Sequence, residues 1–476
     1  MKTTVLAFDF GASGGRAIKA VFEDGTLRYE EVHRFENVPI RQGGQLRWNL
    51  AMLMENVALG IQRAGLFDSI GFDAWGIDFG LLGEDGKLLQ NPVHYRDART
   101  KGLRAQACTK IPASRLYAET GNQIMDMNTL FQLMASDLSH AKTLLFMPDL
   151  FAYLLCGKAV CEETVASTGQ LLSPRTRTWS KKTLQTFGIP ETLFAPLVKS
   201  GTVLGEYAGS KAKIIATAGH DTQCAVAAMP VCPEQAESAA FLSCGTWSLL
   251  GTELDAPILT EKSNRLALSN ELGANGKINY LKNIVGLWLI QESRRAWRSK
   301  GREYSYAELE QCAREAPALR YFIDPDAPEF AQPGDIPALV RAFCEKTGQG
   351  TPNTVGEIMR CLYESLALKY RFALEQICAI TQKKFSVLHI LGGGTKDALL
   401  CQMTANSCKL PVLAGPVEAT ALGNVIVQLV ALGALPDIAA GRAILRKTEA
   451  VRTYTPCETP AWDAAFEAFK ALMQSL

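Results

Sequence analysis

The sequence has few of the features that mark metal-binding, redox or nucleic-acid-binding proteins. Its five histidines are dispersed, at positions 33, 94, 140, 220 and 389, so we do not expect a histidine-based metal site. The thirteen cysteines are an odd number and include no C-x-x-C pair, which argues against a redox dithiol or a zinc knuckle. The formal net charge is +1 and no basic run is present, so we expect no nucleic-acid partner.

We also expect no segment that would direct the chain to a membrane or out of the cell. No apolar stretch approaches the ~18–20 residues that span a bilayer. A strand-like run begins within five residues of Met1, where a secretion leader would lie. Most cysteines stand in apolar runs, where a thiol behaves as a small hydrophobic group. We therefore expect a cytoplasmic protein with reduced thiols and no membrane partner.

The length indicates more than one domain. The chain has 476 residues and exceeds the ~250–300 at which a single hydrophobic core stops growing. Two prolines, Pro230 and Pro233, interrupt the pattern near the middle of the chain, as a domain boundary would. We predict an N-terminal domain over 1–232, a C-terminal domain over 233–445 and a C-terminal segment with a closing helix over 446–476.

The most informative feature that is present is a small-residue loop that occurs twice. The segment 9–16, DFGASGGR, lies between two strand-like runs, and the segment 243–248, SCGTWS, does the same in the second half. Small side chains let backbone N–H groups point into a concavity that suits an anion, and Ser13 and Thr246 add hydroxyl donors. The two loops predict that one polyphosphate is bound from two sides.

Other phosphate-binding motifs do not fit the first loop. No G-x-x-x-x-G-K-[ST] sequence occurs, and a Rossmann fingerprint needs a helix after its glycines. Residues 16–22 instead alternate as a strand, followed by the turn Asp24-Gly25 and a second strand-like run over 27–35. The first loop is therefore predicted to be the tip of a β-hairpin.

The rest of the chain mixes strand and helix patterns, which indicates α/β layers. In the first half, we predict a helix over 50–63 with Asn49 as its N-cap, and one continuous apolar strand over 69–82. In the second half, we predict a helix over 354–381, a buried strand over 387–391 that ends at three glycines, and a closing helix over 462–475.

Two aspartates stand where strands end. Asp221 follows the apolar run 214–218 and is suited to accept the proton of an attacking hydroxyl, because phosphoryl transfer needs positioning and charge neutralisation more than strong basicity. The alternative is that Asp221 caps a helix that starts near Thr222. Asp9, beside the first loop, is suited to hold Mg²⁺, alone or with Asp221. Arg16 is suited either to a phosphate or to a structural ion pair.

Two further segments carry groups typical of sugar recognition. Trp75, Gly76 and Asp78, together with the segment 95–99, YRDAR, place aromatic, carboxylate and guanidinium groups in two loops. Ordinary turn residues and surface ion pairs have the same composition, so this pattern is open to both interpretations. Asn283 precedes an apolar run with a helical pattern, where an N-cap is the simplest interpretation.

In their order along the chain, these motifs resemble those of the FGGY carbohydrate kinases, members of the actin-like ATPase superfamily. The resemblance rests on the segments 9–16, 75–79, 95–99, 220–222, 243–248, 281–291, 392–394 and 415–424, and so covers nearly the whole chain. It implies an α/β fold of two actin-like (ribonuclease H-like) domains, each a mixed sheet flanked by helices, with the active site in the interdomain cleft. The sequence departs from the family at Gly14, where a serine is more common.

The resemblance also implies roles for individual residues. Asp221 would be the general base, and the sugar would contact Gly76, His220, Asp221, Thr222 and Asn283. ATP would contact Ala12, Ser13, Gly14, Gly15, Arg16, Thr246, Gln291 and Gly393. The family requires Mg²⁺, for which Asp9 and Asp221 are the candidate ligands.

The activity implied by the resemblance is ATP-dependent phosphorylation of a ketose. The 1-hydroxyl of L-rhamnulose is the favoured acceptor, which would give L-rhamnulose 1-phosphate and ADP in L-rhamnose catabolism by a monomer or homodimer. Another ketose, such as L-fuculose or L-xylulose, is the nearest alternative. An actin-like ATPase that serves as a sensor or chaperone, without sugar kinase activity, is a more distant one.

Overall fold

The computed structural model describes residues 2–475 and contains strands and helices in alternation. The strands are β1 Thr3–Phe10, β2 Gly14–Glu23, β3 Thr26–Glu36, β4 Ile40–Gln42, β5 Gln45–Arg47, β6 Ser69–Ala74, β7 Phe79–Leu82, β8 Thr143–Phe146, β9 Cys161–Glu162, β10 Leu172–Ser173, β11 Thr178–Trp179, β12 Leu197–Val198, β13 Thr202–Glu206, β14 Lys213–His220, β15 Ala239–Cys244, β16 Trp247–Leu254, β17 Ser269–Leu272, β18 Ile278–Val285, β19 Val387–Leu391, β20 Val412–Ala414 and β21 Arg452–Tyr454.

The helices pack around two large sheets. They are α1 Leu50–Ala64, α2 Leu103–Lys110, α3 Ala113–Thr120, α4 Thr129–Met134, α5 Met147–Cys156, α6 Glu163–Ala166, α7 Lys181–Phe187, α8 Asp221–Ala227, α9 Glu261–Arg265, α10 Trp288–Ser299, α11 Tyr306–Glu315, α12 Ile336–Lys346, α13 Val355–Thr381, α14 Ala398–Cys408, α15 Ala419–Ala431, α16 Ile438–Thr448 and α17 Thr459–Ser475.

The first large sheet has six strands in the order β13-β14-β6-β1-β2-β3. Its centre is parallel, because β1 and β14 both run parallel to β6. Its edges are antiparallel, with the β1–β2–β3 meander on one side and β13 on the other. The carboxyl ends of β1, β6 and β14 therefore lie side by side.

Helices cover both faces of this sheet, as alternation of side chains along a strand requires. On one face, the rings of Phe8 and Phe72 stack, and Phe72 contacts Phe151 of α5. On the other face, Gly71 leaves room for α15: a Cβ atom at Gly71 would lie 2.9 Å from Oδ1 of Asn424. The glycine thus lets polar side chains of α15 reach the strand backbone.

The second large sheet repeats the plan of the first. Its seven strands follow the order β17-β18-β16-β15-β19-β20-β21. The hairpin β15–β16 is antiparallel, β15 runs parallel to β19, and β19 runs parallel to β20. The final neighbour, β21, is antiparallel. Each large sheet thus contains a hairpin whose first strand has a parallel neighbour. In the order of strands in the sheet, a second parallel strand and then an antiparallel edge strand follow.

The chain divides into two compact units that are not continuous in sequence. The first unit contains residues 2–230, Glu253–Leu281 and Ala419–Thr448, and the second contains Val231–Thr252, Lys282–Glu418 and 449–475. The sequence-based boundaries 1–232, 233–445 and 446–476 remain predictions. No helix among residues 2–475 combines the length and the apolar character needed to cross a membrane.

Most predicted elements are confirmed, including both loop-bearing hairpins, α1 with its Asn49 cap, α13, β19 and α17. The single strand predicted over 69–82 is wrong, because β6 ends at Ala74 and β7 begins at Phe79. Ile77, between them, has φ 66°, which breaks an extended strand. Asn283 is not an N-cap, because it lies inside β18 and α10 begins only at Trp288.

Candidate active site

The sheet topology of the first unit brings together Asp9, Asp73 and Asp221. Asp9 is paired with Asp73 across the parallel strands β1 and β6, and β14 pairs its last residue, His220, with Ala74 of β6. Asp221 is the next residue and begins α8. Asp73 was not predicted as a site residue. Its place beside Asp9 follows from the pairing of β1 with β6, which no local sequence pattern reveals.

Arg16 pairs with Asp9 in this structure. The guanidinium donates from Nε at 2.9 Å and from Nη2 at 2.6 Å to Oδ2 of Asp9. The two residues face each other across the β1–β2 hairpin. The predicted metal ligand and a predicted phosphate contact therefore form one ion pair, which places a positive charge beside the first loop.

The first loop is built by its own backbone. The N–H of Gly11 donates to the carbonyl of Gly14 at 2.8 Å, and the side chain of Asn37 donates to the carbonyl of Gly11 at 3.1 Å. Ser13 is exposed at the tip. Gly15 is buried, and a Cβ atom there would lie 2.3 Å from the ring of Phe35. The packing of Phe35 thus requires Gly15, whichever ligand the loop binds.

The second loop lies in the second unit and contacts two further segments. The carbonyl of Thr246 accepts hydrogen bonds at 3.2 Å from the N–H groups of Gly286 and Trp288, which fixes the loop to the start of α10, where Gln291 lies. A Cβ atom at Gly394 would lie 2.3 Å from Sγ of Cys244, so the triple-glycine turn packs directly on this loop.

The ATP-site residues predicted in the second unit therefore belong to neighbouring segments. Gly393 is exposed, and a Cβ atom at this position would have no neighbour within 4 Å. Thr246 and Gln291 are partly exposed. Three backbone segments that present small or partly open residues are suited to approach a phosphate closely.

The predicted sugar contacts separate into two groups. Gly76, His220, Asp221 and Thr222 belong to the first unit, and Asn283 belongs to the second. Gly76 packs on Thr168, whose Oγ1 would be 2.9 Å from a Cβ atom at Gly76 and accepts the N–H of Ile77 at 3.0 Å. Thr222 is buried, and its N–H donates to Oδ1 of Asp221 at 2.6 Å.

Asp78 organises a buried aromatic cluster beside Gly76. Its Oδ2 accepts from the indole N–H of Trp48 at 2.7 Å, from that of Trp75 at 3.0 Å and from the backbone N–H of Tyr95 at 3.1 Å. Its Oδ1 accepts from Gln132 at 2.8 Å. Burial raises the pKa of Asp78 to about 6, while the hydrogen bonds oppose the shift.

Trp48 and Gln132 were not predicted as parts of this cluster. They come from the segments before α1 and within α4, and no local pattern links them to Asp78. The tryptophan of the Trp75-Gly76-Ile77-Asp78 run was the one available signal, because a buried indole N–H needs an acceptor.

His220 lies between two carboxylates. Its Nδ1 is 3.1 Å from Oε2 of Glu271, and its Nε2 is 3.3 Å from Oδ1 of Asp221. Burial by itself would lower the pKa of His220, but Glu271, Asp221 and Glu162 together raise it above its usual value. No local sequence pattern points to Glu271, which lies in β17 within the segment Glu253–Leu281.

Asp221 combines a raised pKa with access to solvent. Burial raises the pKa of its carboxyl to about 6, with His220 lowering it and Asp9 raising it. About a third of the side chain, 31%, is accessible. An accessible carboxylate with a pKa close to neutrality is suited to accept a proton from a bound hydroxyl.

The carboxylates also fit a divalent cation. Burial raises the pKa of Asp73 well above its usual value, and the negative charges of Asp9 and Asp221 add to the shift. Within residues 2–475, no group of three or more His, Cys, Asp or Glu side chains is arranged to hold a metal ion. Mg²⁺, however, usually takes one or two carboxylates and completes its shell with phosphate and water oxygens. Asp9 and Asp221 fit that pattern.

Comparison with known proteins identifies the family of the chain. Residues 4–228 match the N-terminal domain, and residues 240–432 the C-terminal domain, of the FGGY family of carbohydrate kinases. The rhamnulokinase of Bacteroides thetaiotaomicron is 41% identical, covering 99% of both chains. That of Enterococcus faecalis is 40% identical, covering 95% of this chain and 94% of the relative.

Solved structures of sugar kinases share the fold. The gluconate kinase from Lactobacillus acidophilus has a TM-score of 0.79 at 18% identity, and a xylulose kinase from the same organism has 0.77 at 18%. Each comparison covers 100% of this chain and 98% of the other. With the duplicated sheet plan and the two domain matches, the chain belongs to the FGGY family of carbohydrate kinases.

Proposed function

We propose that this carbohydrate kinase transfers the γ-phosphoryl group of ATP to the 1-hydroxyl of L-rhamnulose. The acceptor is supported by relatives named rhamnulokinase that are 36–41% identical over nearly the whole chain. The observation that carries the reaction type is the partly accessible carboxylate of Asp221 beside Asp9 and His220. The product would be L-rhamnulose 1-phosphate, an intermediate of L-rhamnose catabolism.

Asp221 acts as the general base in this proposal. The proton of the sugar hydroxyl passes to the carboxylate as the hydroxyl oxygen forms a bond to the γ-phosphorus. The bond from that phosphorus to the β,γ-bridging oxygen breaks, and ADP leaves. Since a carboxyl with a pKa of about 6 is mostly ionised at neutral pH, the base is ready when the sugar binds.

The sugar is held by Gly76, His220, Thr222 and Asn283. Gly76 borders the buried aromatic cluster around Asp78, which holds the backbone on this side of the sugar in place. His220 has a fixed orientation because carboxylates lie at both of its ring nitrogens. The sugar hydroxyl is thereby presented to Asp221, and positioning of this kind lowers the barrier by avoiding a search for the reactive geometry.

ATP is bound by the two small-residue loops and the triple-glycine turn. Ala12, Ser13, Gly14 and Gly15 contribute backbone N–H groups and one hydroxyl, and Arg16 contributes a positive charge. Thr246, Gln291 and Gly393 contribute from the second unit. Small residues let phosphate oxygens approach backbone N–H groups, so no Walker lysine is required.

Asp9 and Asp221 hold Mg²⁺ together with phosphate oxygens in this proposal. The cation, when bound, neutralises negative charge on the phosphates during transfer. The guanidinium of Arg16, which is paired with Asp9, would contact the phosphates from the same side as the cation.

We further propose a cytoplasmic location, with the protein acting as a monomer or homodimer. All thirteen cysteines are free thiols, as expected in a reducing compartment. Several are fully buried in apolar surroundings, for example Cys161, Cys361 and Cys401.

A substrate panel tests the acceptor. ADP release is measured with L-rhamnulose, L-fuculose and L-xylulose, and the expected result is the highest kcat/KM for L-rhamnulose. A higher kcat/KM for either of the other two sugars would refute the acceptor. ATP hydrolysis that does not depend on any sugar would instead favour the actin-like sensor or chaperone.

A further inference from the structure

Glu271 lies behind the residues proposed to bind the sugar and is itself almost fully buried. Its side chain is 4% exposed, and that of His220 is 9% exposed. Its Oε2 lies 3.1 Å from Nδ1 of His220, and Nε2 on the other side of the same ring lies 3.3 Å from Oδ1 of Asp221. The three side chains form a continuous chain from a buried strand to the accessible carboxylate.

Neighbouring side chains hold Glu271 in place. The amide of Gln223 donates to Oε2 of Glu271 at 2.7 Å, and the carbonyl oxygen of Gln223 accepts a hydrogen bond from Asn279. Asn279 is the partner of Glu271 across the β17–β18 pair. The carboxylate is therefore fixed by residues of α8 and β18, and its position is determined by the fold and does not depend on a ligand.

The backbone around this group is fixed as well. The N–H of Leu272, next to Glu271, donates to Oγ of Ser167 at 2.9 Å. The N–H of His220 donates to Oγ1 of Thr164 at 3.3 Å. Both hydroxyls belong to the segment that contains α6. A single short segment thus sets the spacing between β17 and the end of β14, and with it the contact between Glu271 and His220.

The chemistry of the three side chains determines which of them donate hydrogen bonds and which accept. Ionised carboxylate oxygens only accept, so a ring that holds a carboxylate at each nitrogen donates from both, Nδ1–H toward Glu271 and Nε2–H toward Asp221. An imidazole anchored at Nδ1 cannot turn about its ring bond without losing that hydrogen bond. Nε2 is then held toward Asp221, and the carboxylate of Asp221 is held by Nε2 and by the N–H of Thr222.

We propose that Glu271 is a positioning residue for phosphoryl transfer: it anchors the ring of His220 at Nδ1, so that Nε2 orients the carboxylate of Asp221 toward the sugar hydroxyl. This inference rests on the proposed role of Asp221 as the base. Glu271 touches neither the sugar nor ATP, and acts only through His220. Residues that orient a catalytic group in this way typically change activity by about 10–100-fold when they are replaced.

The first test is the substitution Glu271→Gln, which keeps the shape and removes the charge. We expect kcat with L-rhamnulose to fall about 10–100-fold, while KM for ATP stays within about twofold, because the effect is confined to His220 and Asp221. The matched control is Glu364→Gln in α13, a carboxylate that is equally buried and paired with Arg360. It should lose thermal stability to a similar extent and keep kcat.

A double-mutant comparison shows whether Glu271 acts through His220. In a His220→Asn background, adding Glu271→Gln should change kcat by less than about twofold, because residues that act as a unit are not additive. Independent, multiplicative losses would overturn the proposal. If Glu271→Gln does not fold, Glu271→Asp replaces it, since it keeps the charge but shortens the reach to His220. Unchanged kcat in Glu271→Asp would count against the proposal.

The contact itself is tested without any activity measurement. In protein labelled with ¹⁵N-histidine, the His220 ring signals are those absent from His220→Asn, and five histidines keep the spectrum simple. Glu271→Gln should shift the signals of His220 and leave those of His33 in place. If they do not move, the inference fails. If wild-type protein phosphorylates none of the three ketoses, the proposed function fails, and the spectra still report on Glu271 and His220.

Discussion

Replacing Asp78 by asparagine separates two opposing contributions of a buried carboxylate to stability. One is the set of hydrogen bonds that it accepts, and the other is the cost of burying its charge. The carboxylate accepts four hydrogen bonds, from Trp48, Trp75, Tyr95 and Gln132. An asparagine can place its carbonyl oxygen where Oδ2 accepts three of them. Its NH₂ group then faces the amide of Gln132, which is also a donor. The variant therefore loses one hydrogen bond and gains an unfavourable contact, for about 1–3 kcal/mol.

The negative charge of Asp78 has the opposite effect, because burying it lowers the stability of the folded protein. Its pKa rises from 3.8 to about 6 in the folded protein, and this shift makes ionisation cost about 3 kcal/mol of stability at pH 7.5. Because the folded pKa is raised, the stabilising contribution is complete below about 3.8 and is lost as the pH rises through about 6. Asparagine has no such dependence.

The measurable quantity is the difference in unfolding free energy between the wild type and Asp78→Asn. Between pH 5 and pH 7.5, this difference should move by about 1.4 kcal/mol in favour of the variant. Urea unfolding followed by tryptophan fluorescence is suitable, because Trp48 and Trp75 both contact Asp78. A difference that stays constant over this pH range would refute the raised pKa and the buried charge.

Four further substitutions test other parts of the site. Asp221→Asn should lower kcat by about 10²–10⁴ and leave KM for ATP nearly unchanged, because Asp9 still holds the cation; near-wild-type turnover would exclude Asp221 as the base. Asn424→Ala removes the donor that lies 2.7 Å from Oδ2 of Asp73 and should cost about 1–3 kcal/mol, measured as the midpoint of thermal or urea unfolding. Gly394→Ala brings a Cβ atom within 2.3 Å of Sγ of Cys244, so we expect a raised KM for ATP and an unchanged KM for the sugar. Gly394→Ala should also lower the melting temperature, whereas Gly393→Ala, with no neighbour within 4 Å of the new Cβ atom, should match the wild type. An equal loss of melting temperature in both glycine variants would refute the packing argument.

Local sequence patterns were sufficient for the hairpins and the long helices. The β1–β2 loop could be recognised because glycines and a serine interrupt two alternating apolar runs, and the structure confirms the antiparallel pairing of Phe10 with Gly15. The start of α13 could be placed because Thr354 and Glu357 form a capping box. In such cases, the signal and the structure lie within a few residues of each other.

Patterns failed where packing overrides the local preference. The apolar run 69–82 reads as one strand, but Thr129 and Thr168 bind the backbone of Ile77 and hold it at a positive φ. The partners of that segment are 52 and 91 residues away. Periodicity within the run contains no information about them.

The same difference between local signals and long-range contacts applies to the candidate site. Asp9 and Asp221 were predictable because Asp9 lies near the end of the apolar strand β1 and Asp221 directly follows β14. Glu271 was not, because its importance depends on a contact with His220 that joins β17 to the end of β14. Asp73 was not singled out either, since its neighbours Asp9 and Asn424 are supplied by strand pairing and by a helix 351 residues later.

The discontinuity of the first unit has a consequence for synthesis on the ribosome. α15 supplies Asn424 and Gln428, which bind Asp73, Ser69 and the backbone of β1. A nascent chain that has reached only Pro230 therefore contains the six strands of the first sheet but not the helix that covers one of its faces. Completion of the N-terminal unit must wait until residue 448 has left the exit tunnel. Until then, the carboxyl of Asp73 lacks its amide partner, and the sheet face that α15 covers stays exposed to solvent.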